Sequence, residues 1–226
     1  MKTKYLHIVF SEHIQSYDIP KFRAAVIEKS LRRSDLFHNH SDGDNVVYRY
    51  PLIQYKVHQK KASLVCLNEA TEDIHYLLSQ KNFDFRIGKE VKHYEIDDVR
   101  LKYEYVQTHD TMQSYSLLNW MGLNQDNFKL YQNIESYIDK IKFLEDLLYK
   151  HLLIFMEAMK VVPLLPLKLN ILSVKGEKFI EYKNIFHLTF TLHFNTNLYI
   201  PDYVGLGKGV SVGFGIIRAI IENNKK

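Results

Sequence analysis

The run VVYRYPLIQYKVHQKKASLVCLN, residues 46–68, decides the fold. Two segments rich in β-branched and aromatic residues, VVYRYPLIQYKVH and KASLVCLN, flank the polar QK within the QKK run, a pattern that predicts a β-hairpin. Pro51 cannot donate to a ladder, so the first of these strands lies at a sheet edge or carries a bulge. On the N-terminal side, KYLHIVFSE (4–12) alternates apolar and polar and predicts a strand. YDIPKFRAAVIEKSLRRSD predicts a helix, with Pro20 suited to its first turn and apolar positions at Ala24, Ile27 and Leu31. On the C-terminal side, NEATEDIHYLLSQK predicts a second helix and FDFRIGKEVKHYEI a further strand. Strand, helix, strand, strand, helix, strand is the order of the split βαβ, ferredoxin-like unit.

VRLKYEYVQTH continues as strand into the second half. From Asn133 to Met159, apolar residues at 134, 138, 141, 148, 152, 155 and 159 predict one long helix, with His151 beside the stripe in a structural role. LKLNILSVKG, EKFIEYKNIFHLTFTLHFN and VSVGFGIIRAII then predict strands. No short-period repeat appears. The chain thus reads as two related α/β halves, 1–105 and 106–226.

With 46% hydrophobic and 13% aromatic residues in 226, the chain can bury a sizeable core. Cys66 is its lone cysteine, which excludes an intramolecular disulfide framework and points to a reducing, cytoplasmic setting. The N-terminal MKTKYLHIVFSEHIQ lacks the long apolar core of a signal peptide. HLLIFMEAMKVVPLLPLKL is broken by Glu157, Lys160 and two prolines, so no membrane association is expected. Net charge is +4, but residues 21–61 carry nine Lys or Arg against four acids, an excess of five. Lys29, Arg32 and Arg33 share the face of the first helix opposite Ile27 and Leu31. That basic face suits the C-terminal helix dipole and equally a phosphate-bearing partner.

Beside it stands LFHNHSDGDN, with His38 and His40 two residues apart. Three readings compete: a metal site, an acid–base pair, or two solvated loop histidines. HNHSDGD spells H-x-H-x-D, a fragment of the metallo-β-lactamase signature. Gly43 stands where its next histidine belongs, and no ordered set of downstream ligands follows, so no metal or other cofactor is expected. Two imidazoles at this spacing in an extended stretch can flank one phosphate, as base and acid in either assignment. Tyr48 would then reach an oxygen from the strand behind, while Lys29 or Arg33 steadies the phosphate charge.

GLGKGVSVGFG, residues 205–215, is the most specific motif, holding five of the nine glycines. It is neither a Walker loop nor a Rossmann fingerprint. Gly205, Gly207, Gly209, Gly213 and Gly215 let backbone approach a partner closely, Lys208 adds charge, and exposed amides would meet phosphate oxygens.

This pattern resembles the glycine-rich loop of the RAMP superfamily of CRISPR-associated RNA-binding proteins. With HNH and YRYPLIQYK, the chain more narrowly resembles the CRISPR repeat-RNA endoribonucleases of the sixth Cas family, subtype b. The resemblance implies an α+β fold of two tandem ferredoxin-like (RRM-like) units with antiparallel sheets. It implies metal-independent cleavage of CRISPR repeat RNA by attack of a ribose 2′-hydroxyl on the adjacent phosphate, giving mature guide RNA. The catalytic set carries over to His38, His40, Tyr48 and Lys29. RNA binding carries over to Arg32, Arg33 and the Gly205–Gly215 loop. It also implies homodimer formation and service to a CRISPR effector complex. A non-catalytic RAMP subunit that only holds guide RNA is the rival reading, and a metal-dependent hydrolase the third.

Overall fold

The computed structural model describes residues 2–30 and 49–221. It divides into two compact units, Lys2–Glu104 with Val210–Gly213, and Tyr105–Gly209 with the described residues from Phe214 onward.

In the first unit β1 (Lys2–His13), α1 (Ile19–Lys29), β2 (Ile53–His58) and β3 (Lys61–Leu67) are followed by two single helical turns, α2 (Ala70–Asp73) and α3 (His75–Leu78). A hairpin, β4 (Phe83–Ile87) and β5 (Glu90–Tyr94), precedes β6 (Ile96–Tyr105). The four-stranded sheet has the order β2-β3-β1-β6, which is fourth–first–third–second read from β6. The expected hairpin is present: Ile53 pairs with Cys66 and His58 with Lys61, antiparallel. Gln59 and Lys60 take the left-handed backbone (φ 48° and 69°) that matches the twist of the flanking strands. β2 is an edge strand, and Pro51 lies just before it.

Three expectations change here. The helix expected over 68–81 is only two turns, since Thr71, Ile74, His75 and Tyr76 are weak helix formers. FDFRIGKEVKHYEI folds back on itself around Gly88 (φ +68°) as a separate two-stranded hairpin. The fourth strand of the sheet is instead β6, built from the VRLKYEY run that was expected to continue unbroken into the second half. α1 buries Phe22, Ala25, Val26 and Ile27, while Ala24 faces solvent. Phe22 therefore anchors the helix: its ring lies 5.7 Å from Phe10 of β1, 5.5 Å from Phe85 and 5.8 Å from Tyr94.

The second unit contains β7 (Thr108–Trp120), α4 (Gln125–Asn133), α5 (Tyr137–Ala158), β8 (Leu169–Tyr182), β9 (Ile185–Leu198) and β10 (Ile216–Ala219). Its sheet order, β10-β7-β9-β8, repeats the fourth–first–third–second arrangement, with antiparallel pairing throughout. Residues 199–215 stand where the second helix of the motif belongs and contain a single 3-10 turn, Val210–Val212.

Here too the pattern misplaced boundaries. The segment read as one strand, EKFIEYKNIFHLTFTLHFN, is cut by Lys183 and Asn184, both left-handed (φ 53° and 60°), so its ends belong to β8 and β9. Gly176, which seemed to end a strand, sits in a register shift within β8. α4 was not foreseen; Asn124 caps it by accepting the Asn127 N–H at 2.7 Å. α5 starts four residues later than read, after the Ser136 cap. Its buried stripe is Leu144, Leu147, Leu148, Leu152, Phe155 and Met156, while Ile138 is 66% exposed. Of VSVGFGIIRAII, only Ile216–Ala219 is strand.

Stability should follow this stripe. Leu148→Ala, which empties a fully buried position, should cost about 2–5 kcal/mol in urea unfolding. Ile138→Ala should stay within about 0.5 kcal/mol of the parent.

Candidate nucleic-acid interface

Of the residues that the sequence assigned to catalysis, His38, His40 and Tyr48 lie outside the described residues, as do the RNA-binding candidates Arg32 and Arg33. Lys29 is described. It ends α1, where Ser30 closes the helix by giving both its N–H and its hydroxyl to the carbonyl of Val26. The Lys29 ammonium donates to Oδ1 of Asn82 at 2.6 Å, and the same oxygen accepts the Asp84 N–H at 3.3 Å. Lys29 is thus held at the rim of a cavity of about 300 Å³ that Glu28, Asp84 and Arg86 also line.

Asp84 reaches further. Its Oδ1 lies 2.7 Å from Nδ1 of His93, its direct cross-strand partner, forming a carboxylate–imidazole pair close to Lys29. Sequence reasoning gave His93 no role. The signal was the turn at Gly88, which sets residues 84 and 93 opposite each other once the hairpin is recognised.

A second missed group lies on β1 and β2. The rings of His7 and His58 meet edge to face at 5.1 Å. Burial, then the neighbouring His58 and Arg100, lowers the His7 pKa to about 4. Lys56, on the same strand as His58, is fully buried, and its ammonium has no hydrogen-bond partner among the described residues. Burial brings its pKa down to about 7. Alternation along β2 alone placed a lysine here with no hint of which face would be covered.

The glycine segment is the part of the expected site that the structure draws most fully. Gly207 (φ +89°) lies against the indole of Trp120, where an added Cβ would stand 2.7 Å from Nε1. Gly215 (φ +63°) passes the Leu206 carbonyl so closely that a Cβ would be 1.8 Å from its oxygen. Many amides here are already committed. Those of Leu206, Lys208, Gly213, Phe214 and Gly215 donate to the carbonyls of Gly215, Met121, Val210, Gly209 and Asn119. These amides are therefore not open to a phosphate, the glycines at 207 and 215 serve close packing, and Lys208 lines a cavity. Gly205 joins Ile216 in an isolated bridge. Burial lowers the pKa of Lys208, and this cation, second to burial, helps to hold His151 down to about 4. His151 packs edge-on against Trp120 at 5.6 Å, in the structural place that its sequence position implied.

Among the described residues no cluster of three or more His, Cys, Asp or Glu side chains is placed to hold a metal ion, and no helix is long and apolar enough to cross a membrane.

Two ferredoxin-like units in tandem, each an antiparallel sheet in the same strand order, have the fold of Cas6 proteins of known structure. Two family models match the chain, the Cas6b N-terminal domain over residues 1–106 and the Cas6b C-terminal domain over 107–220. The chain belongs to the Cas6b family. A crystal structure of Cas6b superposes with a TM-score of 0.87 at 25% identity, covering 97% of this chain and 100% of that one. The crystal structure of a CRISPR RNA processing endoribonuclease Cas6b gives 0.74 at 26% identity, with the same coverage. An uncharacterized protein of Methanocaldococcus jannaschii is 27% identical over 124 residues, 54% of this chain and 83% of that protein.

Lys56 gives a pH test of the first unit. Its ordinary pKa is 10.5 and its folded value about 7, so between those values the unfolded chain binds the extra proton. Stability should therefore rise with pH across this window, with the penalty complete below pH 7 and gone above 10.5. Lys56→Met should flatten that rise and stabilise the protein near pH 6 by a few kcal/mol, read by urea unfolding at each pH.

Proposed function

We propose that this protein is a metal-independent endoribonuclease that cuts CRISPR repeat RNA in precursor transcripts and delivers mature guide RNA. The observation that carries the reading is the match of both halves to Cas6b, together with the likeness along 97% of the chain to a structure described as a CRISPR RNA processing endoribonuclease. In this reading residues 1–105 carry the chemistry and residues 106–226 position the RNA. RNA cleavage of this kind needs a base for the 2′-hydroxyl, an acid for the departing 5′-oxygen, and positive charge on the crowded phosphate. His38 and His40 serve as base and acid, Tyr48 holds an oxygen, and Lys29 carries the charge. The 2′-oxygen bonds to phosphorus as the P–O5′ bond breaks, leaving a 2′,3′-cyclic phosphate and a 5′-hydroxyl. The Lys29–Asn82 bond supports this role for Lys29, since it holds the ammonium in place at the C-terminal end of α1, nine residues before His38 in the sequence. Arg32, Arg33 and Lys208 bind the RNA backbone, and the product passes to an effector complex, with the enzyme acting as a homodimer.

One gel tests the reading: repeat RNA transcribed from the host CRISPR array, incubated with the parent protein and with His40→Ala, each with and without EDTA. Cleavage should survive the chelator and fall roughly 10²–10⁴-fold in His40→Ala and, separately, in His38→Ala. A 2′-deoxy substitution at the cut nucleotide should abolish cleavage while binding persists. Cleavage of the deoxy RNA at the same phosphate would sink the 2′-hydroxyl mechanism, and cleavage lost with EDTA would restore a metal. RNA bound and never cut would make the protein a guide-holding subunit.

Lys208→Gln should weaken binding without lowering the rate of bound RNA, and reduce the slope of log affinity against log salt by about one.

A further inference from the structure

The second unit contains a cavity of about 360 Å³ that no step of the cleavage mechanism uses. Its walls are the start of α4, with Asn124, Asp126 and Phe128, the start of β9 with Phe186 and His187, and Lys208 from the glycine segment. Its size lies within the range of small-ligand pockets.

Two of these side chains are placed at a cost. Lys208 is half-buried, which lowers its pKa, and among the described residues its ammonium forms no ion pair, although Asp126 lines the same cavity. A cation withdrawn from water without a counter-charge favours an arriving anion. Phe186, the second residue of β9, is 69% exposed, and its ladder partner is Glu181. Phe179 of β8 is also exposed, at 57%, but lies outside the cavity lining, whereas Phe186 stands on its wall and Trp120, Phe190 and Phe194 of this unit's core are fully buried. An inorganic anion would use Lys208 and leave the ring idle, and an apolar ligand would leave the ammonium uncompensated. A nucleotide uses both, with its phosphate on the cation and its base on the aromatic face.

We propose that this cavity holds one unpaired nucleotide of the bound RNA, its base stacked on Phe186 and its phosphate at Lys208. The base must leave its neighbours to enter, so the site selects a single-stranded position of the RNA. The proposal rests on the RNA-binding reading above and adds to it a defined subsite, well apart in sequence from the proposed catalytic residues.

The test places 2-aminopurine at each position of the repeat RNA in turn and titrates each with the parent protein, Phe186→Ala and Phe186→Trp. One position should be quenched by stacking in the parent, released in Phe186→Ala and quenched again in Phe186→Trp. Affinity of Phe186→Ala should fall roughly 5- to 150-fold, the equivalent of one lost base stack. An abasic nucleotide at that position should weaken the parent by a similar factor and Phe186→Ala no further. Phe186 is mostly exposed, so the variants keep their core, which a thermal melt checks. Parent protein that binds RNA tightly while Phe186→Ala binds equally well overturns the subsite alone. A loss that tryptophan does not restore also overturns it. Parent protein that binds no repeat RNA overturns the subsite and the RNA reading together.

Discussion

At Gly215 the chain passes the carbonyl of Leu206 with no room for a side chain, and much of the second unit depends on that passage. The amide of Leu206 donates to the Gly215 carbonyl at 2.9 Å, and the Gly215 amide donates to Asn119 of β7 at 3.1 Å. These bonds deliver the chain to β10, whose Ile216 and Ile217 pair with Leu118 and Leu117 and complete the sheet. An alanine here would need to move backbone rather than a flexible side chain, and its left-handed φ would add strain. The same constraint repeats at Gly207, seated on Trp120. Close packing at both points holds the backbone on either side of Lys208, whose side chain lines the cavity.

The first unit is organised by a different interaction, the aromatic cluster around Phe22. Rings from β1, α1 and the β4–β5 hairpin converge there, so the hairpin is tied to the helix whose last residue is Lys29. The Asn82 contact with Lys29 and the Asp84–His93 pair are consequences of that anchoring. Buried ionisable groups are the cost side of this unit. Lys56 and His7 are both driven toward neutrality, which makes its stability a function of pH.

How legible all this was varies by residue. The Ile53–Leu67 hairpin was readable because a polar interruption between two β-rich runs has few other solutions, and Pro51 correctly marked an edge. The β8–β9 turn was missed because Lys183 and Asn184 carry no glycine signal, yet both adopt the left-handed conformation. The α5 stripe was read from spacing, but spacing does not show where a helix begins, and the Ser136 cap moved the start past Ile134. At the candidate site, Lys29 and Lys208 were found by charge and motif, whereas His93, Lys56 and Phe186 were not. Their significance comes from neighbours distant in sequence: a cross-strand carboxylate, burial, and a cavity wall built from three segments.

By itself the sequence determined the class of fold, through the order of strands and helices, and the family, whose two Cas6b domain models together match residues 1–220. Local periodicity and motif spacing are properties of neighbouring residues, so a linear reading captures them. Tertiary structure alone decided which strand closed each sheet, which amides of the glycine segment were consumed, and which charges lost their water. These outcomes depend on hydrogen-bond competition and desolvation between segments far apart in the chain, and no local pattern encodes which partner wins.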